Sequence, residues 1–272
     1  MSRDSTNNND NDNDDNNDDN NNNNDDNKKK NVESSGSNGC SSSSDSDHSV
    51  KLQNGRITVH LHPDPQSLAQ NTTGWVTWNA TVSVLAYLEE HVHDLVRNAN
   101  VGDLSTGNGL IALATAYMGA RHVVATEVPT CLPLTMANVC ANPTIQDRIQ
   151  VLSYKWGQQG EGECPIRNCR LVVGCDLLFI AIRDGLCDEL RQCLVELCQN
   201  NNQVLFAFEE RVVDQEQAFM ESLEQRLHVH RVPDEQVVTK DLSNAEGEND
   251  MFYEAPSVRL YLLTNTTTTT TY

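Results

Sequence analysis

Basic residues are scarce in this chain. It has 19 Lys and Arg against 39 Asp and Glu, for a formal net charge of -20. Residues 1–50 hold 12 of the acids and 4 of the bases, which leaves a net charge of -12 for the remainder. Because binding to a phosphate backbone needs clustered Lys and Arg, this composition argues against a nucleic-acid partner.

Long apolar runs are also missing. The longest mainly apolar run, Leu110 to Ala120, is too short to span a bilayer. No basic segment followed by an apolar stretch marks a signal peptide at the N-terminus. We therefore expect no membrane partner and a location in the cytoplasm or alternatively in the nucleus. We also expect a monomer.

No cysteine pair has metal-binding spacing. The nine cysteines are odd in number, and none forms a C-x-x-C motif. The paired histidines, such as His60 and His62, are spaced like ordinary surface residues of strands or helices. This usage is typical of reduced thiols that fill apolar space, and we predict no metal site.

The first part of the chain is extremely rich in Asn and Asp. Of residues 1–31, 23 are Asn or Asp, and a Ser-rich stretch continues to Asp47. Such a segment has no apolar face to bury, so it cannot offset the entropy of folding. We predict a disordered tail over 1–54, one folded domain over 55–265, and a disordered Thr-rich tail over 266–272.

Strand and helix patterns alternate through the folded part. An edge strand at 56–62 and a helix at 75–92 precede five strands, at 100–106, 122–128, 149–154, 171–175 and 203–208. Helices are predicted at 110–118, 131–141, 184–199 and 214–227, with none evident between the third and fourth of the five strands. Two closing strands, 228–232 and 257–263, have no helix between them. The fold class is therefore α/β, with the layout of a Rossmann-like seven-stranded methyltransferase sheet. That sheet is mostly parallel with a C-terminal antiparallel hairpin, and helices cover both faces.

The turn "DLSTGNG" (Asp103–Gly109) is the strongest candidate for a ligand site. A strand that enters a helix through glycines brings backbone and free N–H groups close to a ligand. Gly107-x-Gly109-x-x-Ala112 also fits a dinucleotide motif, with Glu127 as its ribose acid, and a tight turn without ligand is a further alternative. A carboxylate at Asp103 would attract a cationic sulfonium ligand and repel a pyrophosphate, which favours S-adenosylmethionine over NAD.

The order of five segments resembles a known family. "GWVTWNATVSVLAYLE", "DLSTGNGLIALATAYMGARHVVATEVP", "NVCAN", "WG" and "VVGCDLLF" together are similar to the family-16 protein methyltransferases, which include many protein-lysine methyltransferases. The resemblance runs from about Arg56 to Leu263. It implies S-adenosylmethionine as cofactor and a protein substrate that presents a lysine.

The resemblance also implies roles for individual cofactor-site residues. Trp78 would line the pocket, Glu127 would bind both ribose hydroxyls, and Trp156 would lie beside the adenine. Cys175 matches the small residue before the acid of the fourth strand. The turn positions that match the family's Gly-x-Gly start and its closing glycine are Ser105, Thr106, Gly107 and Gly109.

On the acceptor side, Asp176 opens the family's D-x-x-Y motif, here "DLLF" with Phe179 in place of the tyrosine. The resemblance implies that Asp176 orients the acceptor amine, and its alternative role is to cap the next helix. Three residues depart from the family pattern: Ser105 for the first glycine, which fits if its φ is negative, Arg170 for an Asp, and Phe179. The alternatives are a small-molecule methyltransferase, a catalytically weakened cofactor-binding protein of the same fold, and an NAD-dependent enzyme.

Overall fold

The computed structural model describes residues 49–53, 55–69, 72–157, 164–200, 202–238 and 257–266, all within one compact unit. The predicted disordered tails lie outside the described residues, apart from their inner ends. None of the helices in the described ranges is long and apolar enough to cross a membrane.

Nine strands and seven α-helices organise the described chain. The strands are β1 (Ser49–Leu52), β2 (Ile57–His60), β3 (Asn100–Leu104), β4 (His122–Glu127), β5 (Ile149–Ser153), β6 (Leu171–Cys175), β7 (Gln203–Glu209), β8 (Leu227–Arg231) and β9 (Val258–Asn265). The helices are α1 (Pro65–Leu68), α2 (Asn79–Glu90), α3 (Leu110–Tyr117), α4 (Leu132–Cys140), α5 (Leu178–Asp184), α6 (Cys187–Gln199) and α7 (Val213–Glu224).

Seven of the strands form one sheet in the order β5-β4-β3-β6-β7-β9-β8. The first five are parallel, and β9 runs antiparallel between β7 and β8. In register, Asp103 of β3 lies opposite Ala125 of β4 and Val173 of β6. The predicted fold class is confirmed, including the C-terminal antiparallel pair.

Helices cover both faces of this sheet because strand side chains alternate between two apolar clusters. Leu205 and Ala207 of β7 pack with residues of α2 and α3. Val204 and Phe206, their neighbours along the strand, pack with residues of α5, α6 and α7. Since the central strands are buried on both faces, their sequences are continuous apolar runs and not alternating ones.

Two predicted elements differ in the structure. The strand at 56–62 does not edge the main sheet, because β2 pairs with β1 in a separate two-stranded sheet. Leu52 of β1, which precedes the predicted start of the domain at residue 55, is buried in the main core.

The predicted helix 184–199 is the second of two helices. A left-handed Gly185 with φ 69° ends α5, and α6 follows. The short α5 was missed because its residues Leu178 to Ile182 are uniformly apolar, which gives no helical periodicity to detect.

Candidate functional site

A cavity of about 320 Å³ opens at the carboxyl ends of the parallel strands. Most of the predicted site residues meet in its wall. Those that do are Trp78, Asp103, Ser105, Thr106, Gly107, Glu127, Trp156, Cys175 and Asp176. Because parallel strands end at one edge of the sheet, residues far apart in the chain are brought together there.

Two predicted site residues lie outside this wall. Gly109 is the N-cap of α3, in the left-handed region with φ 81°. The ring of Phe179 lies against the guanidinium of Arg211, with 5.2 Å between the ring centroid and Cζ.

Glu127, the last residue of β4, fixes the turn after β3. Its Oε2 accepts from the backbone N–H of Gly107 at 2.8 Å, and its Oε1 accepts from the N–H of Val128 at 2.7 Å. Burial raises the pKa of this carboxyl, and the two backbone hydrogen bonds oppose the rise. The ends of two neighbouring strands are thus joined through one carboxylate.

Gly107 is required for a close approach of two chain segments. Its φ is 57°, and a Cβ there would lie 2.7 Å from the carbonyl oxygen of Gly74. Helix α4 holds the same turn, because Thr135 Oγ1 donates to the carbonyl of Gly107 at 2.7 Å. The glycine therefore serves a backbone contact with the segment at Gly74, in addition to the approach to a ligand that the sequence predicts.

Ser105 lies in the left-handed region, with φ 56°. We expected that a serine could replace the family's glycine here only with a negative φ, and this expectation is wrong. Its hydroxyl has a defined contact, because Trp156 Nε1 donates to Ser105 Oγ at 3.1 Å. This hydrogen bond positions the indole of Trp156, and no glycine could make it.

Asp103 is the least compensated acid of the site. Only 2% of its surface is exposed, and its described side-chain partner is the hydroxyl of Thr106. Burial raises the pKa of Asp103 to about 7, with a smaller contribution from the nearby carboxylate of Glu127. A cation bound in the cavity would stabilise the charged form of this carboxyl.

Asp176, the residue after β6, forms a bidentate pair with an arginine. Its Oδ1 and Oδ2 bind Arg211 Nη1 and Nη2 at 2.7 and 2.8 Å, and Oδ1 also accepts from the N–H of Glu209 at 3.2 Å. The alternative role as a helix cap is wrong, because the N-cap of α5 is Leu177 and no side chain caps that helix.

Arg170, the third departure from the family pattern, lies away from the cavity. It precedes β6 at the opposite edge of the sheet, where its Nη2 donates to the carbonyl of Asp94 at 2.8 Å. Within the described ranges, no three His, Cys, Asp or Glu side chains are grouped to hold a metal ion.

Several wall residues were missed by sequence reasoning. Thr72, Thr73 and Gly74 come from the loop before Trp75, and Lys155 and Arg183 add two cations to the wall. The Gly and Thr content of that loop was a usable signal. Arg211 lies outside the wall but contacts Asp176. It follows β7, the neighbour of β6, by two residues, and this place at the same edge of the sheet was a signal for a role in the site.

Comparison with known proteins agrees with this geometry. The lysine methyltransferase family matches residues 65–226, which is more than half of the chain, and the protein belongs to this family. The protein-lysine methyltransferase METTL21E of Mus musculus is 22% identical over 165 residues, or 58% of this chain and 65% of its own length.

Two further relatives have narrower or weaker similarity. The protein N-terminal and lysine N-methyltransferase efm7 of Aspergillus fumigatus is 30% identical over 95 residues, 32% of this chain and 36% of its own. The ribosomal protein L11 methylase of Lactobacillus delbrueckii subsp. bulgaricus has a TM-score of 0.46 at 14% identity, covering 78% of this chain and 87% of that structure. The chain thus spans just under two thirds of the mouse relative and about a third of the fungal one.

The hydroxyl and the backbone of Ser105 have opposed effects on stability. Ser105→Ala keeps the strained Cβ and removes the hydrogen bond to Trp156, so we expect a loss of about 1 kcal/mol. Ser105→Gly also removes the bond but relieves left-handed strain of about 1 kcal/mol, so its stability should stay near wild type. Urea unfolding measures both, and an alanine variant as stable as the glycine variant would contradict the strain argument.

The raised pKa of Asp103 predicts a pH-dependent contribution to stability. Because the folded value of about 7 lies above the ordinary 3.8, folding favours the protonated form. This contribution is complete below the ordinary value and is lost as the pH rises through about 7. The stability of wild type relative to Asp103→Asn should therefore fall between about pH 4 and about pH 7 in urea unfolding and stay level above that range. A difference that stays constant over that range would show that the carboxyl is already ionised.

Proposed function

We propose that this protein transfers a methyl group from S-adenosylmethionine to a lysine side chain of another protein. The observation that carries the proposal is the cavity at the carboxyl ends of β3, β4 and β6, whose wall contains the buried acids Asp103, Glu127 and Asp176. Membership of the lysine methyltransferase family supports it.

The wall suits the cofactor's chemistry. The carboxylate of Asp103, whose pKa is raised by burial, would attract the positively charged methionine moiety of S-adenosylmethionine. Each oxygen of Glu127 accepts one backbone N–H and keeps a lone pair for a ribose hydroxyl. Trp156, fixed by Ser105, offers an aromatic edge or face for the adenine. When bound, S-adenosylmethionine supplies a methyl group already activated on a cationic sulfur.

The acceptor side would be served by Asp176. Among the described residues, its Oδ2 accepts from Arg211 alone, so one lone pair remains to orient an amine. A lysine must lose a proton before it attacks, and its ordinary pKa is about 10.4. A narrow cavity with an apolar wall lowers that pKa by desolvation. The protein's remaining task is to align the amine with the methyl group and to exclude water.

The names of the relatives favour an amine of a protein as acceptor. The mouse relative is named a protein-lysine methyltransferase, and the fungal one a protein N-terminal and lysine N-methyltransferase. An N-terminal amine is therefore the second acceptor to test.

Cofactor choice can be measured on the purified protein. S-adenosylmethionine or its demethylated product should stabilise it by about 2–3 kcal/mol at roughly a hundredfold excess over Kd, and NAD should not. Glu127→Ala should abolish this stabilisation because it removes the ribose contacts. Glu210→Ala is the matched control and should leave it intact, because the carboxylate of Glu210 pairs with Arg259 and does not line the cavity. A thermal shift with NAD alone would overturn the proposal.

Transfer to lysine can be measured with a labelled methyl donor in a lysate. We expect label on a protein band, and methyl-lysine after hydrolysis of that band. Asp176→Asn should reduce transfer at least tenfold while the cofactor affinity changes little, since the carboxylate acts on the acceptor. Phe179→Tyr should keep or raise transfer.

Three results would count against transfer to lysine. Label confined to small molecules would favour a small-molecule methyltransferase, and label on an N-terminal amine would favour the second acceptor. Cofactor binding without any label would favour a protein of this fold that has lost catalysis.

A further inference from the structure

Arg211 is not part of the cavity wall, but it forms an ion pair with Asp176, the acid proposed to orient the acceptor amine. Its Nη1 and Nη2 meet both carboxylate oxygens of Asp176, at 2.7 and 2.8 Å. Its Nη2 also donates to Glu209 Oε2 at 2.9 Å. A bidentate pair of this kind fixes the plane of a carboxylate as well as its position.

The same guanidinium lies between two aromatic rings. Its Cζ is 5.1 Å from the ring centroid of Trp78 and 5.2 Å from that of Phe179. Both distances are within the range of cation–π attraction. Trp78 lines the cavity just before α2, so Arg211 links the cofactor wall to the acceptor wall.

The backbone of Arg211 is held as firmly as its side chain. Its N–H donates to Glu216 Oε1 at 3.0 Å, and Glu216 is buried in the first turn of α7. Three chain segments therefore meet at one residue: the start of α2, the start of α5 and the loop after β7. Loss of the guanidinium would free Asp176 and both rings together.

We propose that Arg211 is the positioning residue of the acceptor side: it fixes the carboxylate of Asp176 where the amine must enter, and it contacts the rings of Trp78 and Phe179. This inference rests on the proposed transfer of a methyl group to an amine. Arg211 acts through its neighbours, because the described cavity wall contains Asp176 and Trp78 but not Arg211 itself.

A lysine at this position would not be equivalent. Arginine offers a flat group that can bind two oxygens at its edge and stack on rings with its faces. Lysine offers a single ammonium that can pair with Asp176 or approach a ring, without fixing the carboxylate plane. The proposal therefore predicts that the charge alone does not restore function.

The experiment compares Arg211→Met and Arg211→Lys with a matched control, Arg259→Met. Arg259 forms an ion pair with Glu210 at 2.8 Å, and its side chain is 22% exposed against 20% for Arg211. Initial rates of methyl transfer are measured against acceptor concentration with saturating S-adenosylmethionine. Affinity for S-adenosylhomocysteine is measured by calorimetry, and folding by thermal melting and tryptophan fluorescence.

We expect Arg211→Met to lower kcat/KM for the acceptor at least tenfold, and Arg211→Lys to recover less than a third of that loss. Affinity for S-adenosylhomocysteine should change less than threefold, and Arg259→Met should stay within twofold of wild type in every readout. In the double variant Asp176→Asn/Arg211→Met, the loss should not exceed that of the worse single variant, because the two residues act as one unit.

Several results would overturn the inference while leaving the proposed function standing. These are an active Arg211→Met, a full rescue by lysine, equal losses at Arg211 and Arg259, or independent losses that multiply in the double variant. If Arg211→Met does not fold, Arg211→Lys alone decides: the inference requires that it lowers kcat/KM for the acceptor while the affinity for S-adenosylhomocysteine changes less than threefold. A wild-type protein that transfers no methyl group would instead refute the proposed function.

Discussion

Burial of three carboxylates at one edge of a parallel sheet is the constraint on which this site depends. Asp103, Glu127 and Asp176 are 2%, 7% and 6% exposed, and a buried charge is costly unless it is paired. Asp176 has an arginine and Glu127 has two backbone N–H groups. Asp103 has the hydroxyl of Thr106 and a backbone hydrogen bond with Ala112, and burial still raises its pKa to about 7. Because the carboxylates are compensated to different degrees, we propose Asp103 as the acid that meets a bound cation and the other two as fixed acceptors of hydrogen bonds.

Backbone geometry places these acids. After the neighbouring strands β3 and β6, Ser105 and Asp176 both adopt left-handed conformations, with φ of 56° and 58°. Non-glycine residues there cost about 1–3 kcal/mol and persist only where surrounding contacts hold them. Such contacts are present here: Trp156 donates a hydrogen bond to the hydroxyl of Ser105, and Arg211 forms an ion pair with Asp176. Of the four non-glycine residues with positive φ in the described ranges, these two lie at the strand ends that form the cavity wall.

Local patterns were enough to predict the sheet and two of the acids at its edge. Apolar runs, turn glycines and strand ends place Asp103 and Glu127 without knowledge of distant contacts, whereas Asp176 was predicted from the resemblance to the family. The residues that the sequence could not place depend on partners far along the chain. Arg211 is 35 positions from Asp176, and the bond that holds Ser105 spans 51 positions. Gly107 was identified, but the part of its role that involves Gly74 arises only in the folded chain.

Proton release on cofactor binding tests the central claim most directly. If Asp103 receives the positive charge of S-adenosylmethionine, binding must shift this carboxyl from partly protonated to ionised. Calorimetry at about pH 6, in buffers of different ionisation enthalpy, counts the protons released. The account predicts that wild type releases most of one proton and that Asp103→Asn releases markedly fewer. Equal proton release by the two proteins would contradict it.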